Sequence, residues 1–95
     1  MGEKFQTLHP DPNKQGVRID KNRYDLIRET ILQIMSEQQP LPFTELVTNA
    51  ESTLAGHFMG SVPWYVVTIK LDLEARGVIE RVPKTKPERL RLVKT

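Results

Sequence analysis

Apolar residues recur at helical spacing in three segments of the chain. The first segment follows Asp20, a suitable N-cap for which Asn22 is the competitor. It ends before Pro40, because the residue that precedes a proline is disfavoured in the α region. One inward-facing stripe is predicted along this helix, formed by Tyr24, Ile27, Ile31, Ile34 and Met35.

Two further helices are predicted in the middle of the chain. The second runs from residue 43 or 44 to residue 54 or 55 and follows an extended connector at 41–43. Ser61 can cap the third helix, Pro63 fits its first turn, and Gly77 suits the position just after its end. The inward positions of these two helices are Phe43, Leu46, Val47, Ala50 and Leu54, and then Val62, Val66, Ile69 and Leu73.

The pattern changes to that of strands near the C-terminus. Residues 78–82 and 88–93 are predicted as two strands joined by a turn at 83–87, which contains two prolines. Leu90 and Leu92 alternate with Arg89 and Arg91, as in a ribbon with one solvated face. We expect one common core that contains Leu46, Ile69, Leu73, Ile79 and Leu90.

The first 19 residues lack helical periodicity and contain two prolines and Gly16. We interpret residues 1–19 as an extended N-terminal arm, ordered where it docks on the body, and residues 20–95 as the folded domain. Within the arm, Val17 and Ile19 alternate with Arg18, as in a short edge strand.

The composition limits the class of protein. A chain of 95 residues forms one domain, and the absence of cysteine excludes disulfides, thiolate nucleophiles and cysteine-based zinc sites. No apolar run approaches the roughly 18 residues of a membrane span, and the N-terminus has no apolar signal segment. These features favour a cytoplasmic protein that has no membrane partner.

The charge is distributed unevenly along the chain. Residues 1–75 carry 7 basic and 10 acidic side chains, a net charge of −3, whereas residues 76–95 carry 7 basic and 2 acidic side chains, a net charge of +5. This asymmetry points to an anionic partner; the simpler interpretation is that a basic segment keeps a small protein soluble. The basic residues of the second group are Arg76, Arg81, Lys84, Lys86, Arg89, Arg91 and Lys94.

Three helices followed by a two-stranded ribbon is the order of a winged helix-turn-helix. The stretch LDLEARGVIERVPKTKPERLRL resembles the end of a recognition helix and the hairpin wing of such domains, and PLPFTELV resembles the start of their second helix. The stretches KQGVRIDKNRYDLIRETIL and WYVVTIKLDLEARGVIERVP together resemble a family of small bacterial proteins of unknown function with this fold. The resemblance covers roughly residues 9–92. It implies an α+β fold, a winged helix-turn-helix with three helices, a two-stranded β-hairpin wing and an extended N-terminal arm, but no particular function.

The predicted wing carries most of the candidate nucleic-acid contacts. Lys84 and Lys86 lie at its tip between the prolines, and Arg81, Arg89 and Arg91 extend the positive strip along its strands. Such side chains neutralise the phosphates of duplex DNA. Glu80 and Glu88 weaken that field, so we expect two or three useful contacts instead of five. The alternative is that these charges only protect an exposed strand from aggregation.

The third helix is a poor reader of bases. Its outward polar positions are Ser61, Tyr65 and Thr68, with Asp72 as a further one. Lys70 is the single basic residue in the first two-thirds of this helix, and Asp72 and Glu74 would repel phosphates. The sequence therefore predicts weak base selection.

The arm has two open interpretations. Lys14 and Arg18 could enter a minor groove beside the third helix, as basic arms do. Alternatively, the arm folds over the body and pairs as a strand through Val17 and Ile19.

A second apolar row lies on the third helix, formed by Trp64, Val67 and Leu71. Adjacent helical positions diverge by about 100°, so this row and the core stripe cannot face the same way. Either the arm or the loop around Phe58 and Met59 covers the row, or the row forms a homodimer or partner interface.

The sequence predicts a protein that is not an enzyme and needs no cofactor or metal. His9 and His57 are the only histidines, no carboxylates accompany them at ligand spacing, and Ser61 has no evident base. GHFMGS lacks the residues of a phosphate-binding loop. We expect a small nucleic-acid-binding protein that binds DNA phosphates with its wing and acts as a transcriptional regulator or accessory factor. The alternative is a winged-helix protein-interaction or dimerisation module that does not bind DNA.

Overall fold

The computed structural model describes residues 2–93, so Lys94 of the basic C-terminal segment lies outside the described residues. It is a mixed α+β protein in which three helices and two small sheets share one chain. In chain order, the elements are β1 (Lys4–Gln6), β2 (Arg18–Asp20), α1 (Lys21–Glu37), β3 (Leu41–Pro42), α2 (Phe43–Leu54), α3 (Val62–Ala75), β4 (Ile79–Val82) and β5 (Arg89–Leu92).

The local signals for helix ends are confirmed. Asp20 caps α1 by accepting a hydrogen bond from the Arg23 amide at 3.1 Å, and Ser61 Oγ accepts one from the Trp64 amide at 3.2 Å. Gly77 follows α3 with a φ of +75°, a conformation that a residue with a side chain rarely adopts. The helices therefore begin and end where short-range chemistry predicts.

The predicted core is confirmed as one cluster. The five residues expected to lie together are all buried, and they come from α2, α3, β4 and β5: Leu46, Ile69, Leu73, Ile79 and Leu90. The α1 stripe from Tyr24 to Met35 joins the same cluster. The helices and the hairpin thus share a single hydrophobic interior.

The C-terminal hairpin belongs to a larger sheet than the sequence predicts. β4 pairs antiparallel with β5, from Ile79 opposite Leu92 to Val82 opposite Arg89. The segment Leu41–Pro42, predicted as a connector, pairs with β5 on its other side, with Leu41 opposite Leu90. The predicted hairpin of β4 and β5 is confirmed, but the sheet has three strands in the order β3-β5-β4 instead of two. Burial of Leu41 against the core holds this short strand in place.

The N-terminal arm folds back and pairs with itself. β1 and β2 form a separate antiparallel sheet, in which Phe5 lies opposite Ile19 and stacks on Tyr24 of α1 with ring centroids 3.9 Å apart. The strand prediction is confirmed for Ile19, which is buried, whereas Val17 lies just before β2 and is exposed.

A loop of residues 8–16 is closed at its base by Thr7. The buried Thr7 hydroxyl donates to the Val17 carbonyl at 3.0 Å and accepts from the Val17 amide at 2.8 Å. A Cβ at Gly16 would lie 2.0 Å from the Thr7 carbonyl oxygen, so only glycine fits there. Among residues 2–93, no helix has the length and apolar character required to cross a bilayer.

Candidate functional site

Two of the five wing residues are already paired with carboxylates. Arg81 contacts Glu74 Oε1 through Nε at 3.2 Å and Glu88 Oε2 through Nη1 at 3.3 Å. Arg91 Nε contacts Glu80 Oε2 across the hairpin at 2.5 Å. The acidic residues of the wing and of α3 therefore neutralise part of the positive strip.

Three cations remain at the tip of the wing. Lys84, Lys86 and Arg89 are exposed, and within residues 2–93 none of them forms an ion pair. Thr85 shapes this tip, because its hydroxyl donates to the Val82 carbonyl at 3.0 Å and accepts from the Arg89 amide at 3.1 Å. Three exposed cations of the wing are therefore available for contacts, and whether they bind phosphates stays a prediction.

The polar positions of α3 are engaged in local structure. Ser61 Oγ caps the helix. Tyr65 is half-buried, its ring meets Phe58 edge to face at a centroid distance of 5.1 Å, and its hydroxyl accepts from Arg23 Nη1 at 3.3 Å. Thr68 is half-buried in a groove beside the arm. These three residues do not form a free polar row.

Lys70, the one basic residue of α3, is buried. Its ammonium lies 3.0 Å from Glu74 Oε1 and 5.3 Å from the centroid of the Phe43 ring. Glu74 thereby bridges Lys70 and Arg81. Over Val62–Ala75, all of which the structure describes, no exposed basic side chain faces outward.

The outward assignment of Asp72 is wrong, because its carboxylate is fully buried. It accepts hydrogen bonds from the Leu8 amide at 2.8 Å, from the Tyr24 hydroxyl at 2.5 Å and from Arg76 Nε at 2.9 Å. Three donors from three parts of the chain replace the water that the carboxylate loses. The one signal in the sequence is the spacing of Asp72 and Arg76, which suits an ion pair within a helix.

The pKa values of two neighbours of this carboxylate are raised. Burial, reinforced by the hydrogen bond to Asp72, raises the pKa of Tyr24 to about 12. The hydrogen bond to Asp72 also raises the pKa of Arg76, whose guanidinium lies over the Phe5 ring at 5.0 Å. Asp72 thus ties α1, α3 and the arm together.

The second apolar row of α3 remains largely open. Trp64 is 47% exposed, Val67 is 42% exposed and Leu71 is half-buried. The arm lies beside this row instead of covering it, and Leu8 and Val17 of the arm are exposed as well. Between them runs a groove of about 170 Å³, lined by Thr7, Leu8, His9, Gln15, Gly16, Val17, Trp64, Thr68 and Leu71. We call the groove together with Val67 the arm–α3 face.

The loop around residues 58 and 59 leaves this face uncovered. Phe58 packs on Tyr65, while Met59 is exposed. Lys14 and Arg18 of the arm are also exposed, and Lys14 lines a depression of about 460 Å³ that adjoins the groove. Neither of these two residues forms an ion pair with any part of the chain that the structure describes.

The architecture defines a small α+β domain with a partly neutralised basic hairpin and an open apolar face. The chain belongs to a family of unknown function (DUF6958), whose model matches residues 4–90. This confirms the resemblance to an uncharacterised family. Comparison with the curated proteins and with the solved structures found no match.

Proposed function

We propose that this chain is a winged-helix domain that acts as a protein-interaction module through its arm–α3 face. The winged-helix assignment is supported by the order of α1, α2, α3 and the hairpin, and by the insertion of β5 between β3 and β4. In this assignment α3 stands where a recognition helix stands, and β4 and β5 form the wing.

One observation carries the choice of function: the outer face of α3 is apolar. A helix that reads bases presents Arg, Lys, Asn or Gln to the groove of DNA. Here the outer positions are occupied by Trp64, Val67 and Leu71, and Lys70 is sequestered by Glu74. Tryptophan is among the residues most enriched at the energetic centres of protein interfaces. On this proposal the domain acts by binding and performs no catalysis.

The proposal is tested by site-specific photo-crosslinking in the cells that naturally express the protein. A benzoylphenylalanine at Val67 should yield a discrete crosslinked product, because this position lies on the arm–α3 face. The matched control places the same group at Ser52, an exposed position on α2. Trp64→Ala should abolish the Val67 product, whereas Lys84→Ala with Lys86→Ala should leave it intact. Identical product patterns from Val67 and Ser52 would contradict the proposal.

A second function is favoured by the three cations of the wing tip that form no ion pair within residues 2–93. Lys84, Lys86 and Arg89 could hold the phosphates of duplex DNA without reading its sequence. Binding of this kind has a dissociation constant of roughly 10⁻⁴ to 10⁻⁶ M at physiological salt. Fluorescence anisotropy on two unrelated duplexes, at several salt concentrations, measures it directly.

The wing variant provides the test of DNA binding. Replacing Lys84 and Lys86 with Ala should weaken binding equally on both duplexes. It should also reduce the slope of log K against log salt by about 0.9 for each phosphate that the variant no longer neutralises. Arg91→Ala is the matched control, because Arg91 is already paired with Glu80. Equal affinities and slopes for wild type and the double variant would remove the wing from any binding site.

A further inference from the structure

The groove of the arm–α3 face has the dimensions of a pocket for one side chain. Leu8 and Val17 form one wall, and they are 43% and 40% exposed. Trp64 and Leu71 form the other wall, and the enclosed volume is about 170 Å³. Apolar atoms on both sides favour an apolar occupant, because its entry would remove both walls from water.

The polar groups around the groove include several hydrogen-bond donors. His9 Nδ1 accepts a hydrogen bond from the Asp11 amide at 3.0 Å, so the ring proton lies on Nε2 and can be donated to a ligand. Lys14 is exposed in the adjoining depression, which His9 also lines. The hydroxyl of Thr68 lies on the helix side of the groove.

No carboxylate lines the groove or the adjoining depression among the described residues. Asp11 Oδ1 accepts from the Asn13 amide at 2.9 Å. Asp72, beneath the arm, accepts from the Leu8 amide and is paired with Arg76. A ligand therefore meets an apolar pocket next to the Lys14 ammonium and the His9 N–H, and a carboxylate complements these two groups.

The apolar area favours a short peptide over a second copy of this chain. The exposed parts of Leu8, Val17, Trp64 and Val67 amount to a few hundred Å², about the size of the largest patch on an ordinary monomer. A stable protein–protein interface buries about 800 Å² on each partner. One inserted side chain with its neighbours needs much less.

We propose that the groove binds a peptide segment whose apolar side chain enters between the arm and α3 while an adjacent carboxylate contacts Lys14 and His9. This rests on the protein-interaction function proposed above and specifies the chemistry of its partner. Lys14 selects acidic sequences, whereas Trp64 and Leu71 provide the apolar contact that any occupant of the groove makes.

A displayed library of random heptapeptides tests the chemistry without knowledge of the natural partner. The library is selected on wild-type protein after counter-selection on Trp64→Ala. Enriched peptides should carry Asp or Glu within two positions of a large apolar residue. The same selection on Lys14→Glu should enrich Lys or Arg at those positions. Both substituted side chains are exposed, and circular dichroism confirms that each variant keeps its helices.

Three results of the selection would overturn the proposal. In the first, no peptide is enriched on the wild-type protein relative to Trp64→Ala. In the second, the enriched peptides are apolar and contain no acidic residue. In the third, Lys14→Glu selects peptides of the same charge as the wild-type protein does. A dimer in sedimentation equilibrium that dissociates in Trp64→Ala would also overturn it, because a second copy would then occupy the face. The crosslink at Val67 distinguishes a failure of the protein-interaction function from a failure of the acidic-peptide proposal. If the crosslink persists while the charge preference fails, the interaction function stands and only the acidic-peptide partner is wrong.

Discussion

Replacement of Asp72 with Ala should remove much of the stability of this domain. The change leaves the Tyr24 hydroxyl and the Leu8 amide without their acceptor and separates Arg76 from its carboxylate. Hydrogen bonds to a charged group contribute about 1.5–3 kcal/mol each, and the Tyr24 hydroxyl donor is buried, whereas the Arg76 side chain is 34% exposed and regains water. These contributions overlap, so we expect a total loss of about 3–5 kcal/mol, against a total stability of about 5–15 kcal/mol for a typical domain.

Urea unfolding at pH 7, followed by circular dichroism, measures this loss. The free energy of unfolding of a small protein falls by about 1–3 kcal/mol per M of urea, so the midpoint of unfolding should fall by more than about 1 M. Asp25→Ala is the matched control, because Asp25 is also paired at a spacing of four residues, with Lys21, but both side chains are well exposed. The control should leave the midpoint nearly unchanged, since exposed ion pairs contribute little.

The loss of stability caused by the missing hydrogen bonds can be separated from the loss caused by the smaller side chain. Asp72→Asn keeps the size of the side chain but has one acceptor oxygen in place of two. Its amide group places two N–H donors where the wild-type carboxylate accepts hydrogen bonds. A double-mutant cycle of Asp72→Asn with Tyr24→Phe should show a coupling energy above about 0.5 kcal/mol. A midpoint for Asp72→Ala equal to that of Asp25→Ala would refute the argument that the buried carboxylate holds the arm to the helices.

Two other predictions concern the same region. The pKa of Tyr24 is raised from 10.0 to about 12, so its neutral form stabilises the fold below pH 10, and this contribution is lost as the pH rises from 10 through about 12. The stability difference between wild type and Tyr24→Phe should therefore shrink over that interval, and a difference that stays constant up to pH 12 would contradict the raised pKa. Deletion of residues 1–18 removes the wall of the groove formed by Leu8 and Val17, so the emission of Trp64 should shift to the red and the melting temperature should fall. An unchanged spectrum and melting temperature would show that the arm does not pack on Trp64 in solution.

The helices and the core could be predicted because their causes are local. Asp20, Ser61 and Gly77 act within a few residues of the ends they define, and the apolar stripes repeat often enough to fix the inward face of each helix. The strands of the hairpin also show a clear alternation, for example Leu90 between Arg89 and Arg91. Signals of this kind need no knowledge of distant contacts.

The errors involve partners that are distant in sequence. A strand of two residues, such as Leu41–Pro42, is too short to show alternation, and its pairing depends on β5 about fifty residues later. The sequence favours an exposed Asp72 because aspartate is mostly exposed. In the structure its buried carboxylate accepts a hydrogen bond from the Leu8 amide, 64 residues away in sequence. The sequence leaves two alternatives for the Trp64 row, and the choice between a covered and an open row depends on the path of the arm, which folds into its own hairpin and leaves the row uncovered.

The closure of the 8–16 loop by Thr7 makes the rim of the groove independently exchangeable. Thr7, Val17 and Gly16 fix the ends of the loop, and the tip between Asp11 and Lys14 is held by its own turn hydrogen bonds. Changing the sequence or length of that tip alters the rim of the groove without altering the core, and lengthening a flexible loop costs little free energy. The domain is therefore a scaffold whose groove rim can be varied by loop replacement at residues 10–14, while α3 supplies a constant apolar wall.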